Sequence, residues 1–147
     1  MKKSYLVIVT LLLFIIDRIT KILALKFLTD GLFCCNQIAG LKLLLNNGVA
    51  FGILIPKILS ITLASLIILI LINVLLKTKT NLFPLLIIIA GAFSNILDRL
   101  NYDAVIDFIT IKYMPIFNLA DIYIVIGLIM LIYGLKSPNK DTIAHNT

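Results

Sequence analysis

Long apolar runs alternate along this chain with short polar-leaning segments, and the runs have the length of membrane helices. Tyr5 to Ile16 is apolar and the run continues past Asp17 to about Leu28, which predicts a first helix over residues 4–27. Ile58 to Leu76 is a run of 19 residues in which Asn73 is the one strongly polar member, predicting a helix over 58–76. Leu82 to Leu97 is followed by Asp98 and Arg99, with Asn95 near its end, predicting a helix over 82–100. A fourth run begins at Ile116 or Asn118 and ends at Leu135, predicting a helix over 117–135. At about 1.5 Å per residue, such runs cross a hydrocarbon core of about 30 Å.

The segments between the runs carry a different pattern. Within residues 28–57, Leu41–Leu45, then Asn46-Asn47-Gly48, then Val49–Ile53 reads as strand, turn, strand, and Pro56 ends it. Asn-Gly between apolar runs is a strong hairpin signal; a re-entrant loop is the other option. Residues 101–116 read as a polar-leaning loop, and residues 136–147 as a polar tail. The expected fold is an all-α membrane protein of one domain, residues 1–147. It has four transmembrane helices, with a small β-sheet or hairpin and a loop on the outer membrane face.

Composition agrees with this pattern. The chain is 61% hydrophobic and 14% charged, with mean hydropathy +1.13, too little polar surface for a soluble domain of this size. The net charge of +6 comes from residues lying between apolar runs, which points to membrane orientation and away from nucleic acid. With four spans, Lys2, Lys3, Lys77, Lys79, Lys136 and Lys140 share one side, which places both termini in the cytoplasm. Asp17, Asp30, Asp98, Asp103, Asp107 and Asp121 then gather toward the opposite side. Met1-Lys2-Lys3 before an apolar run also suits a signal segment. The run continues past Asp17 with no small-residue cleavage site after it, so it is expected to stay as a span. Cys34 and Cys35 are adjacent and fit no metal motif. His145 is the single histidine and there is no glutamate. No cofactor or metal is expected.

A carboxylate inside a span costs roughly 2.5–3.5 kcal/mol on insertion scales, so the intramembrane acids call for a reason. Asp17 and Lys21 stand at i, i+4, a structural ion pair on the simpler reading, and Thr20 is placed to hydrogen-bond back to its own helix. Arg99 can snorkel to the headgroups with Asp98 neutralising it. Asn118 can cap the last helix with Asp121 in its first turn. Asp107 is harder to place, because Val105-Ile106-Asp107-Phe108-Ile109 offers it no local partner. If the loop folds back, Asp107 meets Asp121, and two close carboxyls share a proton as an acid/base pair. Other intramembrane protease chemistries lack their residues: no H-E-x-x-H occurs, and His145 falls on the cytoplasmic side. Tyr102-Asp103 matches one half of the two-part presenilin-type motif, and its G-x-G-D half is absent. A proton- or cation-coupled carrier would scatter its polar residues across the bilayer, and a structural adaptor would use them only to join helices.

Five blocks resemble the lipoprotein signal peptidase (signal peptidase II) family. They are Asp17-Arg18-Ile19-Thr20-Lys21, Asn46-Asn47-Gly48-Val49-Ala50-Phe51, Asn95-Ile96-Leu97-Asp98-Arg99, Val105-Ile106-Asp107-Phe108 and Phe117-Asn118-Leu119-Ala120-Asp121. The resemblance covers about residues 5–135. It implies a bacterial inner (cytoplasmic) membrane aspartic endopeptidase with four helices and an outer-face sheet. Its substrates would be diacylglyceryl-modified prolipoproteins, embedded among membrane lipids and cleaved before the lipidated cysteine, and globomycin-type peptides would inhibit it. The catalytic pair falls on Asp107 and Asp121. Asp17, Lys21, Asn46, Gly48, Asn95, Asp98, Arg99, Asn118 and Ala120 fall around it. Ser94 and Ala90 stand where the family commonly has glycine, and the loop between the two aspartates is shorter than in several members.

Overall fold

A computed structural model describes residues 3–28, 31–34, 38–48, 56–78 and 82–136. Four helices run over Lys3–Phe27 (α1), Lys57–Lys77 (α2), Leu82–Tyr102 (α3) and Leu119–Lys136 (α4). Three strands, Leu32–Cys34 (β1), Ala39–Asn46 (β2) and Val105–Ile111 (β3), form one antiparallel sheet in the order β1-β2-β3.

Residues 101–116, expected as a loop, are corrected here. Asn101 and Tyr102 finish α3, and Val105–Ile111 is strand β3. The run Val-Ile-Asp-Phe-Ile-Thr-Ile is rich in β-branched and aromatic residues and suits a pleated surface. Its ladder partner is β2, from Ala39 opposite Ile111 to Asn46 opposite Val105, with an irregularity between Leu41 and Leu44. The first strand of the expected hairpin is therefore present, but it pairs with β1 and β3. Val49–Ile53 and His145 lie outside the described residues.

The connection from β3 to α4 folds back on itself. Phe117 accepts backbone hydrogen bonds from Phe108 and Ile109 at 3.0 and 2.8 Å and donates to Ile109 at 3.1 Å. This return carries the start of α4 alongside β3. Ala24 and Leu28 at the end of α1 pack with Ile106 and Phe108 of β3, seating the sheet on the helices.

Polarity is inverted relative to a water-soluble domain. Asp17, Lys21 and Asp98 are 0% exposed and Asp107 is 2% exposed, while Leu11, Ile15, Ile19 and Ile22 on α1 are about half exposed. Buried charge with exposed apolar surface is the arrangement lipid imposes. Among the described residues, α2 and α3 are long and apolar enough to cross a membrane, and the apolar part of α4, Leu119–Gly134, is shorter.

Candidate active site

α1 carries three buried polar residues, Thr10, Asp17 and Lys21, on one helical stripe. Leu6, Thr10, Asp17, Lys21, Ala24 and Leu28 are buried, at steps of three, four and seven. α3 meets this stripe with Ser94, Asn95 and Asp98, also buried. The Lys21 ammonium is completely engaged. It reaches Asp98 at 2.7 Å, Asn95 Oδ1 at 2.8 Å and Asp17 at 3.1 Å, which uses the three donors of the group.

Asp17 and Asp98 act as struts between elements. Asp17 Oδ2 accepts the Ser94 hydroxyl at 2.5 Å, and its Oδ1 accepts the backbone N–H of Ala120 at 2.8 Å. Asp98 pairs with Arg18 and Lys21, and its Oδ2 accepts the backbone N–H of Ile106 at 3.3 Å. Each strut therefore grips the amide one residue before Asp121 or Asp107. The sequence expectation that Asp98 neutralises Arg99 is replaced by this pairing with α1. The i, i+4 pair of Asp17 and Lys21 is present, and Thr20 does bond back, its hydroxyl donating to Asp17 O at 2.9 Å.

Asp107 and Asp121 end up at one cavity and hold one residue in common. Asn118 Nδ2 donates to Asp107 Oδ1 at 2.7 Å, and the Asn118 backbone N–H donates to Asp121 Oδ2 at 3.2 Å. Each second oxygen has its own amide: Asn46 Nδ2 reaches Asp107 Oδ2 at 2.9 Å, and Asn95 Nδ2 reaches Asp121 Oδ1 at 2.9 Å. Asn46 is aimed by the turn that follows it, because the Gly48 N–H donates to Asn46 Oδ1 at 3.0 Å. The capping reading of Asn118 also holds: Asp121 N–H donates to Asn118 Oδ1 at 3.0 Å. Capping and bridging are thus done by the same side chain.

Burial pushes the Asp107 carboxyl up to about 6, and the Asp121 charge adds to that rise. The amides of Asn46 and Asn118 and the charge of Lys21 pull in the other direction. A carboxyl in this range holds or releases a proton near neutral pH, as acid/base work requires.

The cavity has a volume of about 760 Å³ and is mostly apolar, within the usual range of ligand sites. Its polar pole is Asn46, Asn95, Arg99, Asp107 and Asp121; Leu44, Met114, Pro115, Ile122, Val125 and Ile126 are among its apolar walls. The Arg99 guanidinium lies within electrostatic reach of Asp121, Asp107 and Asp98. One proton shared between Asp107 and Asp121 would leave the pair with a single negative charge, matched by Arg99. Such a site can polarise a water against a carbonyl held in an apolar slot.

The family model for signal peptidase (SPase) II matches residues 9–136. The chain belongs to the signal peptidase II family. A lipoprotein signal peptidase of Thermodesulfovibrio yellowstonii is 40% identical over 131 residues, covering 83% of this chain and 88% of that protein. One from Clostridium tetani is 35% identical over 138 residues, covering 86% and 88%. Two solved structures of bacterial membrane enzymes share the fold. One has TM-score 0.83 at 24% identity, covering 95% of both chains; the other has TM-score 0.76 at 26% identity, covering 94% of this chain and 96% of that one. As a member of this family, the chain is a membrane-embedded bacterial peptidase.

Every site residue named from the signal peptidase II resemblance lies in this one assembly, in three tiers. Asp107, Asp121, Asn46, Gly48, Asn95 and Arg99 line the cavity. Asn118 links the two aspartates. Asp17, Lys21, Asp98 and Ala120 stand behind them. Sequence reasoning gave no role to Arg18, because Asp98 already had a cation beside it in Arg99; the Arg18–Asp98 pair depends on how α1 meets α3. Nor did it assign a contact to Ser94, which was visible only as a departure from glycine.

Proposed function

We propose that this signal peptidase II family member is a four-span aspartic endopeptidase whose acid/base pair is Asp107 and Asp121. It removes the signal peptide from diacylglyceryl-modified prolipoproteins by cutting before the lipidated cysteine. The observation that carries the reading is that both carboxyls open on one apolar cavity and share Asn118. The names of the relatives in Thermodesulfovibrio yellowstonii and Clostridium tetani supply the substrate class.

In this reading the signal peptide lies against the apolar wall of α4 and the substrate's acyl chains remain in the bilayer. A water between the carboxyls loses a proton to the ionised one as its oxygen bonds to the scissile carbonyl carbon. The protonated carboxyl gives its proton to the carbonyl oxygen. Collapse of the tetrahedral intermediate breaks the C–N bond, and the leaving amine takes a proton from the pair. No covalent enzyme intermediate is formed. Globomycin-type peptides would occupy the same cavity. The enzyme sits in the bacterial cytoplasmic membrane with both termini inside, and the lysines at Lys77 and Lys136 are placed for that orientation.

The test is cleavage of a lipidated precursor by Asp107→Asn and Asp121→Asn, each shown to be folded by its melting curve. Each substitution should lower kcat by about 10²–10⁴-fold. Near-full activity in either variant would remove the pair from the chemistry.

A further inference from the structure

The two carboxyls of the pair are not equivalently placed. Asp121 lies in the first turn of α4, where the partial positive charge of a helix start favours an anion. One of its oxygens accepts a backbone N–H from that start, at 3.2 Å from Asn118. Its other oxygen accepts from Asn95 Nδ2 at 2.9 Å, and the oxygen of that same amide accepts from Lys21 Nζ at 2.8 Å. A buried ammonium thus polarises the amide whose N–H points at Asp121, and hydrogen bonds in series strengthen one another. Asp107 sits on a strand and accepts from two side-chain amides, Asn46 and Asn118.

We propose that Lys21 is a positioning residue that, acting through Asn95, keeps the negative charge of the pair on Asp121 and leaves the shared proton on Asp107. This rests on the acid/base reading of the pair and adds the roles: Asp121 takes the proton from water, and Asp107 gives its proton to the carbonyl oxygen. The charged groups around the pair come from every element packed there. α1 contributes Asp17 and Lys21, and α3 contributes Asp98 and Arg99. Asp17 and Asp98 are occupied with Lys21 and Arg18, and Arg99 is within reach of both members of the pair. The charges of Arg99 and Lys21 each bear on both members of the pair, so charge alone does not discriminate. What singles out Asp121 is the donor path, from Lys21 Nζ to Asn95 Oδ1 and from Asn95 Nδ2 to Asp121 Oδ1.

Asn95→Ala disconnects the relay while leaving Lys21 its two aspartates. The measurement is the pH profile of kcat and kcat/KM on a diacylglyceryl-modified precursor. The expected result is a fall in kcat of about 10–100-fold with KM little changed, and an acidic limb displaced upward by about one pH unit, the effect of losing one charge-assisted hydrogen bond. The basic limb should move far less. An unmoved acidic limb, or a shift confined to the basic limb, would overturn the assignment. A readout independent of activity covers a variant that folds poorly. The infrared band of a protonated carboxyl should titrate away at higher pH in Asp121→Asn, where Asp107 remains, than in Asp107→Asn; the opposite order overturns the assignment. Failure of the pair itself is a separate result, namely near-full cleavage by either aspartate-to-asparagine variant.

Discussion

Asn118 and Asp121 hold each other twice, with the Asp121 amide on Asn118 Oδ1 at 3.0 Å and the Asn118 amide on Asp121 Oδ2 at 3.2 Å. This reciprocal cap starts α4 and leaves Asn118 Nδ2 free to reach Asp107 at 2.7 Å. Serine caps helices about as well as asparagine, but it has no amide to offer Asp107. Asn118→Ser keeps the cap but gives up two buried amide hydrogen bonds, to Asp107 Oδ1 and to Asn95 Oδ1 at 3.3 Å, and should lose about 1–3 kcal/mol of stability. Its kcat should fall about 10–100-fold, the worth of a hydrogen bond to a charged group. Thermal unfolding beside a cleavage assay checks both, and a variant that lost stability without losing rate would reduce Asn118 to a cap.

Asp107 sets a pH dependence whose sign can be worked out. An unfolded aspartate titrates near 3.9, and the folded one is raised to about 6, chiefly by burial. Between those values the folded protein binds a proton that the unfolded chain has released. The stability linked to that proton is fully present below about 4 and is lost as pH rises through about 6. Melting temperature should fall over this window, and Asp107→Asn, neutral at every pH, should lose that part of the slope. In the proposed mechanism this is the proton given to the carbonyl, so kcat/KM of the free enzyme should decline as pH rises past about 6. Identical melting profiles for the two proteins would contradict the burial argument.

The four helices were legible because each lies in a long apolar run that announces itself within its own segment. β3 was harder to see. Val105–Ile111 has a β-rich composition, but the polar residues flanking it at Asn101, Asp103 and Lys112 made the whole stretch resemble a loop, and its partner lies some sixty residues earlier in β2. The site residues could be named because they stand in compact blocks. Their division of labour could not, since it depends on contacts between blocks. Arg18, not Arg99, answers Asp98 because α1 and α3 meet on that face, a fact about packing that no local spacing records.

That exchange of partners makes a prediction about the two neighbours Asp98 and Arg99. Asp98→Ala strips Arg18 and Lys21 of a shared acid and frees the Ile106 N–H. Breaking a buried pair in this way costs about 3–5 kcal/mol. Arg99 bonds within its own helix, to Asn95 O at 3.3 Å, and lines the cavity. Arg99→Gln should lower the melting point little and lower activity strongly, because the cation facing the carboxyl pair is gone. Denaturation midpoints for both variants, set against their specific activities, decide it. A large stability loss in Arg99→Gln would restore the pairing of Asp98 with Arg99 that the sequence suggested.

Two glycines in the α3–α4 contact separate packing from positioning. A Cβ on Gly91 would lie 2.6 Å from the carbonyl oxygen of Ala120, and a Cβ on Gly127 would lie 2.5 Å from Ile88 Cγ1 and 2.9 Å from Pro84 O. Either alanine overpacks the contact, with an expected cost of about 1–3 kcal/mol. Their consequences for rate differ. Ala120 directly precedes Asp121, and its N–H is fixed by Asp17 at 2.8 Å, so pressure on its carbonyl twists the start of α4 and swings the carboxylate. A misplacement of about 1 Å at a reacting group costs on the order of 10²-fold. Gly127 lies six residues further along, about 9 Å down the helix axis, where Ile88 can shift without moving Asp121. Gly91→Ala should thus lose kcat far in excess of its stability loss, while Gly127→Ala should lose stability with kcat nearly intact. Equal kcat in the two variants would mean that the seat of Ala120 has no bearing on the geometry of the carboxyl pair.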